Sequence, residues 1–307
     1  MTRGKTNLER FLECSTPRVP IHYYTEDPNI VIGSVLQTKG SSSSSGAKAE
    51  DEEVRRPCIV LQDIWSAVDK WSSFGRKVSL SVEGIDEKVN HHFVPSLSAI
   101  QIFTLKPFTD DDPRSSATGV DDGTVTGSAE PDSSGKRDVN ADHLGYLYFQ
   151  YNETDKPFLR EPLTSMITDR LAKQHPGLTT LKSSDLSPYS WISIAWYPIY
   201  PIPPVDNKDM STVFLTYHSL KPNFPETNGK DVKGKENGVS GETKVELPPF
   251  AAVTYKVFGN VWIMPGTSDN QKIEMCEKAA SSWLKLIGFF HNDFNFFMSR
   301  KFCGVPK

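Results

Sequence analysis

The stretch Trp191-Ile192-Ser193-Ile194-Ala195-Trp196-Tyr197-Pro198-Ile199-Tyr200-Pro201-Ile202-Pro203-Pro204 sets how the whole chain is read. Trp191 to Tyr200 is dense in β-branched and aromatic side chains and reads as a strand. Prolines at 198, 201, 203 and 204 block regular pairing and favour a stiff, extended exit. Along the strand Trp191, Ser193, Ala195 and Tyr197 share one face, and Ile192, Ile194 and Trp196 share the other, which is the expected core face. Trp191 and Tyr197 would then stand on a rim beside Tyr200, an aromatic groove for a peptide or small ligand. Plain core packing is the competing and favoured reading, because large aromatics are mostly buried whatever the function.

Runs of the same character lie on both sides. Val78 to Val82, Leu97 to Leu105 and Leu144 to Asn152 precede it, the last with Tyr146, Tyr148 and Gln150 alternating against Leu147, Phe149 and Tyr151. Ser211 to Ser219 and Phe250 to Phe258 follow, and Gly259-Asn260 marks a turn into a short partner, Val261 to Met264. Four helices are signalled. Thr6-Asn7-Leu8-Glu9 is a capping box that starts a first helix ending before Pro17. A second carries Leu61, Ile64, Trp65, Val68 and Trp71 or Ser72 and stops near Gly75; a third follows Pro162 with Leu163, Met166, Ile167 and Leu171. The last, capped by Ser268-Asp269, shows the stripe Ile273, Cys276, Ala280, Trp283 and Ile287, with Glu274, Glu277, Lys278 and Lys285 pointing away. Strands outnumber helices and do not alternate with them, which predicts an α+β domain: a mainly antiparallel sheet packed with about four helices.

Three stretches break the pattern: 38 to 57, 109 to 143 and 223 to 247, each too polar to repay its ordering entropy. The expectation is a single globular domain over residues 6 to 303, interrupted by disordered polar insertions. The middle stretch holds nine acidic and three basic residues, so the net charge of −4 belongs to the insertions and the remainder is mildly basic. That balance is too weak to predict nucleic-acid binding. Cysteines at 14, 58, 276 and 303 show no spacing suited to zinc or to a disulfide scaffold, so neither a metal nor a cofactor is expected. No apolar run approaches the roughly 20 residues of a membrane-spanning helix, and the N-terminus lacks an apolar signal core. The expected location is cytoplasm or nucleus.

Catalytic signatures are sparse. Gly4-Lys5-Thr6 resembles the end of a phosphate-binding loop but has no strand before it, and no G-x-G-x-x-G, G-x-S-x-G or H-E-x-x-H is present. Adjacent His91 and His92 point to opposite strand faces, which disfavours a shared metal. His218, between Tyr217 and Ser219 near a strand end, is the better acid or base candidate, against the commoner reading of a hydrogen-bonded structural histidine. Arg160-Glu161 before the third helix suits an anionic ligand or, equally, a structural ion pair. Ser41, Ser42, Ser43, Ser44, Ser45, Ser115 and Ser116 are accessible phosphorylation candidates. Phenylalanines crowd the C-terminus, most expected to cover the last helix and the sheet, with a minority exposed beside Arg300 and Lys301.

Several segments carry a family resemblance: Asn7 to Pro17, Asp63 to Gly75, Phe93 to Phe103, Arg160-Glu161-Pro162-Leu163, Leu178 to Pro204, Phe214 to Leu220, Leu247-Pro248-Pro249-Phe250 and His291-Asn292-Asp293-Phe294-Asn295-Phe296-Phe297. Together they resemble the plant-specific Domain of Unknown Function 789 family. The resemblance implies a plant protein and supplies no reaction and no catalytic residue. The expected function is a non-enzymatic interaction or regulatory module with a protein partner, its groove formed by Trp191, Tyr197 and Tyr200. The alternative is a small-ligand binder or enzyme with a pocket near Tyr217, His218 and Arg160.

Overall fold

The computed structural model describes residues 4–25, 55–84, 86–108, 112, 114, 143–199, 211–224, 243–257 and 260–301. The elements run α1 (Asn7–Cys14), β1 (Arg18–Pro20), β2 (His22–Thr25), β3 (Arg55–Cys58), α2 (Leu61–Phe74), β4 (Arg76–Leu80), β5 (Val89–Thr104) and β6 (Tyr146–Asn152). A 3-10 turn, Pro157–Leu159, leads to α3 (Leu163–Ser165), which continues through a π-helical turn, Met166–Leu171, into α4 (Ala172–Gln174). Then follow α5 (Gly177–Thr180), β7 (Trp191–Ile199), β8 (Val213–Ser219), β9 (Lys244–Glu246), β10 (Ala251–Tyr255), α6 (Asp269–Leu286) and α7 (Asn292–Lys301).

Six strands form an antiparallel sheet in the order β10-β8-β7-β5-β4, with β6 pairing the far half of β5 beyond the end of β4. Pro95 sits between those two pairings, where β5 has a neighbour on one edge only and no ladder bond is lost. Helices cover both faces: α1, α2, α3 and α5 pack on one, α6 and α7 on the other. The α+β reading with a mainly antiparallel sheet holds.

The first helix starts as its capping box dictates, with Glu9 N–H donating to Thr6 Oγ1 and Thr6 N–H to the Glu9 carboxylate. Its Asn7 side chain then closes the free edge of β4 as a short strand would, donating to Ser81 O and accepting from Ser81 N–H, both at 2.8 Å. Phe11 enters the core stacked on Phe214 at 3.9 Å and edge-on to Phe93, Trp196 and Trp262.

In β5 the register against β7 shifts between Leu97 and Ala99, leaving Ser98 as a bulge. Phe93 and Leu97 precede the bulge and Ile100 and Ile102 follow it on the same face, so the extra residue inverts the odd-even pattern. Ser96 and Ser98 face the α6/α7 side, and the bulge adds Ala99 to that side.

Several expectations need correction. Trp191 does not stand on a rim: helices cover both sheet faces and it is fully buried. Val261 to Met264 is a turn carrying the buried Trp262, with no strand pairing. Arg55, Arg56 and Pro57, taken as insertion, belong to β3, and Lys244–Glu246 pairs with β1 as β9. Ser268 makes no side-chain cap; Asp269 is buried instead and accepts from Thr6 Oγ1 and Thr267 Oγ1. Glu277 turns inward beside Thr254, and the buried row reads Ile273, Glu277, Ala280, Leu284. Two further helices, α5 and α7, were not anticipated. Ser41 to Ser45, Ser115, Ser116 and Tyr200 lie outside the described residues.

Phe11→Ala removes a ring contacted on several sides, and should cost about 3 to 5 kcal/mol of stability by urea denaturation. A loss below about 1 kcal/mol would show that α1 is peripheral to the fold.

Candidate functional site

The richest chemistry lies under the start of α7, where four elements meet. Ser98 comes from the β5 bulge, Tyr217 from β8, Arg160 from the turn before α3, and His291 with Asp293 from the entry to α7. Tyr217 OH is 2.8 Å from His291 Nδ1, and His291 Nε2 is 2.9 Å from Ser98 Oγ. Ser98 Oγ donates to Asp293 Oδ2 at 2.5 Å. Arg160 closes the chain with its fork, Nη1 to Oδ2 and Nη2 to Oδ1, both at 2.7 Å.

These contacts admit one arrangement of protons. A carboxylate only accepts, so the Ser98 proton is committed to Asp293 and the Ser98 oxygen must accept from His291 Nε2–H. Burial holds the His291 pKa down at about 4, with the nearby Asp293 pulling up and Arg160 adding to the lowering, so the ring is neutral and carries that single proton. Nδ1 therefore accepts, and Tyr217 donates to it. Burial raises the Tyr217 phenol well above its ordinary value, against a smaller opposite pull from the Ser193 hydroxyl. In this order of bonds His291 cannot take the Ser98 proton as a general base, which removes the serine-nucleophile reading of the cluster in this arrangement.

Of the residues singled out from sequence, Arg160 and Tyr217 are joined through this chain, and Tyr197 lies with its ring 5.7 Å from the Arg160 guanidinium. Glu161 pairs separately with Arg170. His218 is on the opposite face of β8, as adjacent strand residues must be, so it does not join them. There Trp196 Nε1–H donates to Thr216 Oγ1 at 2.8 Å. The Thr216 hydroxyl in turn donates to His218 Nε2 at 2.9 Å, and His218 Nδ1–H to Leu247 O at 2.8 Å. Burial brings the His218 pKa down to about 4, the bond to Leu247 opposing it. His218, Trp65, Ile192 and Leu247 line a cavity of about 10 Å³, at the lower limit for one water. His91 is buried against Phe93 while His92 faces the other way. Ser98, His291 and Asp293 were not read from sequence as a site; the only signal was two polar residues inside a phenylalanine-rich run.

A family model described as protein of unknown function (DUF789) matches residues 6–297. The chain belongs to this family. Comparison with the curated proteins and with the solved structures gave no match. Among the described residues of this DUF789 member, no helix is long and apolar enough to cross a membrane, and no three His, Cys, Asp or Glu side chains converge as a metal site.

Trp191, sealed under α6 and α7, donates its indole N–H to Gln101 Oε1 and stacks on Tyr217 at 5.8 Å. From there the rings continue outward: Tyr217 to Phe250 at 6.3 Å, Phe250 to Trp283 at 5.1 Å, Trp283 to Tyr189 at 6.1 Å, and Tyr189 to His143 at 5.3 Å. Phe250 is 39 % exposed, and Trp283 and Tyr189 are partly so. This family member thus carries an aromatic strip on its surface that is anchored to its core.

Both sealed histidines make stability pH-dependent. Their pKa falls from 6.5 to about 4 on folding, so the unfolded chain binds more protons in that window and stability drops as pH falls through it. At full extent this is about 3 kcal/mol per histidine. Urea midpoints should therefore decline between about pH 7 and about pH 4. His218→Asn, which keeps a donor for Leu247 O, should remove roughly half of that decline; an unchanged slope would show that His218 is not the titrating group.

Proposed function

We propose that this protein is a non-enzymatic interaction module of the cytoplasm or nucleus, and that a protein partner docks on the strip Tyr189, Trp283 and Phe250. The observation carrying this reading is the unbroken series of ring contacts from the buried Trp191 to the part-exposed Phe250, Trp283 and Tyr189. Part-exposed aromatic rings held by a rigid interior offer large contact area at little entropic cost, the property of recognition surfaces for extended peptides. Leu286 lies one helical turn from Trp283 and is itself exposed, which widens the apolar face of α6.

The strip replaces the groove read from sequence, in which Trp191 was to be a contact residue. In this reading Trp191 supports the strip from beneath and touches no partner. An enzymatic reading gains less support, since the acid-base candidates are sealed, neutral and committed to partners inside the fold.

Phe250→Ala and Tyr189→Ala truncate rings of the strip that take no part in the polar cluster. Affinity capture of the full-length protein, quantified by mass spectrometry, should recover a near-stoichiometric partner with the wild type and lose it with both variants, at unchanged thermal stability. A partner retained at full level by both variants would refute the strip as the docking surface.

A further inference from the structure

The Arg160 and Ser98 donors that hold Asp293 come from elements outside the helix that supplies Asp293. Arg160 Nε donates to Asp155 O at 3.0 Å, and its guanidinium lies over the Tyr197 ring, so its fork is aimed by the turn before α3 and by β7. Ser98 is placed by β5, and its oxygen also accepts from His291 at the entry to α7. A second hydroxyl stands nearby: Ser96, two residues away on the same face, is 5 % exposed and makes no hydrogen bond among the described residues. Beside it the sheet surface is made of small side chains, with Ala195 paired to Ser96 and Ser193 paired to Ala99. Buried donors around a small-residue floor, with the acceptor brought in from elsewhere, is the construction of a ligand site.

The element that brings the acceptor packs on the sheet through Phe294, Phe297 and Met298, all beyond Asp293, and its entry is bonded by Asn292 Nδ2–H to Glu153 O. Phe297 is the buried anchor of α7, whereas Phe290 and Phe296 are 72 % and 47 % exposed. The chain enters it after Gly288, whose φ of +63° is a conformation that favours glycine and permits a sharp change of direction.

We infer that Arg160 and Ser98, with Ser96 as a spare donor, form a binding site for one carboxylate group, which Asp293 occupies as a built-in ligand and which an external carboxylate takes in its place. A carboxylate fits because its two coplanar oxygens match the guanidinium fork, as Asp293 does. The inference is independent of the aromatic strip, whose residues it does not use.

Removing the built-in ligand tests it. Full-length Asp293→Gly should unfold at a lower temperature than the wild type, and acetate, titrated against chloride at constant ionic strength, should restore several degrees in a saturable manner. Arg160→Gln combined with Asp293→Gly should not respond, and phosphate, tetrahedral and larger than the planar group that the site holds, should be weaker. If Asp293→Gly does not fold, Asp293→Ala, which also vacates the site and suits a helix better than glycine, is titrated in the same way. In the wild type, acetate at about a hundredfold the dissociation constant found for the variant should speed hydrogen exchange of residues 289–298 and leave α6 unchanged. No acetate response in either single variant, or an equal response in the double variant, would overturn the site. Unchanged exchange in the wild type would overturn the replacement of Asp293.

Discussion

A hydroxyl on a strand buried on both faces costs free energy unless something inside the protein bonds to it, and at Ser98 this fold meets that demand in full. Ser98, the bulge residue of β5, faces α7, and both of its hydrogen-bonding roles are filled, as donor to Asp293 and acceptor from His291. The same extra residue inverts the side-chain alternation, which lets Phe93 and Leu97 on one side of it and Ile100 and Ile102 on the other all reach the α1/α2 core. Without the bulge one half of β5 would present its large side chains to the wrong layer. The packing of the second half of β5 on both faces thus depends on one backbone irregularity.

Two hydrogen-bond relays cross the interior on opposite faces of β8. Thr216 and His218 point to the α2 side, and Tyr217 points to the α7 side. Each histidine is neutral, with one ring nitrogen donating and the other accepting, and each relay ends on an acceptor that has no proton to give, a carbonyl in one case and a carboxylate in the other. A relay closed at both ends orients groups and resists slippage, but it does not turn over protons. The proposed recognition surface is accordingly placed where rings come to solvent.

The sheet was legible in the sequence wherever side chains alternate or are densely apolar. Trp191 to Tyr200 gave β7, and the capping box at Thr6 gave α1 with both of its bonds. Legibility failed where the deciding partner is distant in the chain. Nothing near Trp191 says that α7, a hundred residues on, will cover it, so the inference from alternation that one face is free was wrong. Likewise Glu277 reads as a solvent residue until β10 is placed beside it. The bulge is invisible because its cause, a skipped pairing with β7, resides in the register and not in the residue. His218 was read as a strand-end residue, and its sealing depends on Leu247, which the polar insertion before it separates in sequence.

The helices at the two ends of the described chain each join an apolar anchor to polar bonds, Phe11 with Thr6 and Asn7 in α1 and Phe297 with Asp293 in α7. In α1, Phe11 is surrounded by four rings, a contact that is non-directional and loses strength in proportion to the area uncovered. At the start of α7 the hold is a forked ion pair and a set of short hydrogen bonds, which are directional and lapse together once the geometry is lost. Loss of one partner there leaves a buried charge, a penalty of about 3 to 5 kcal/mol, whereas a small displacement of a ring costs far less. An apolar anchor therefore yields gradually, and a polar clasp is either closed or open. In α7 the clasp lies at the start and the apolar anchor Phe297 one turn further on, so the entry of the helix is governed by charge and its next turn by burial.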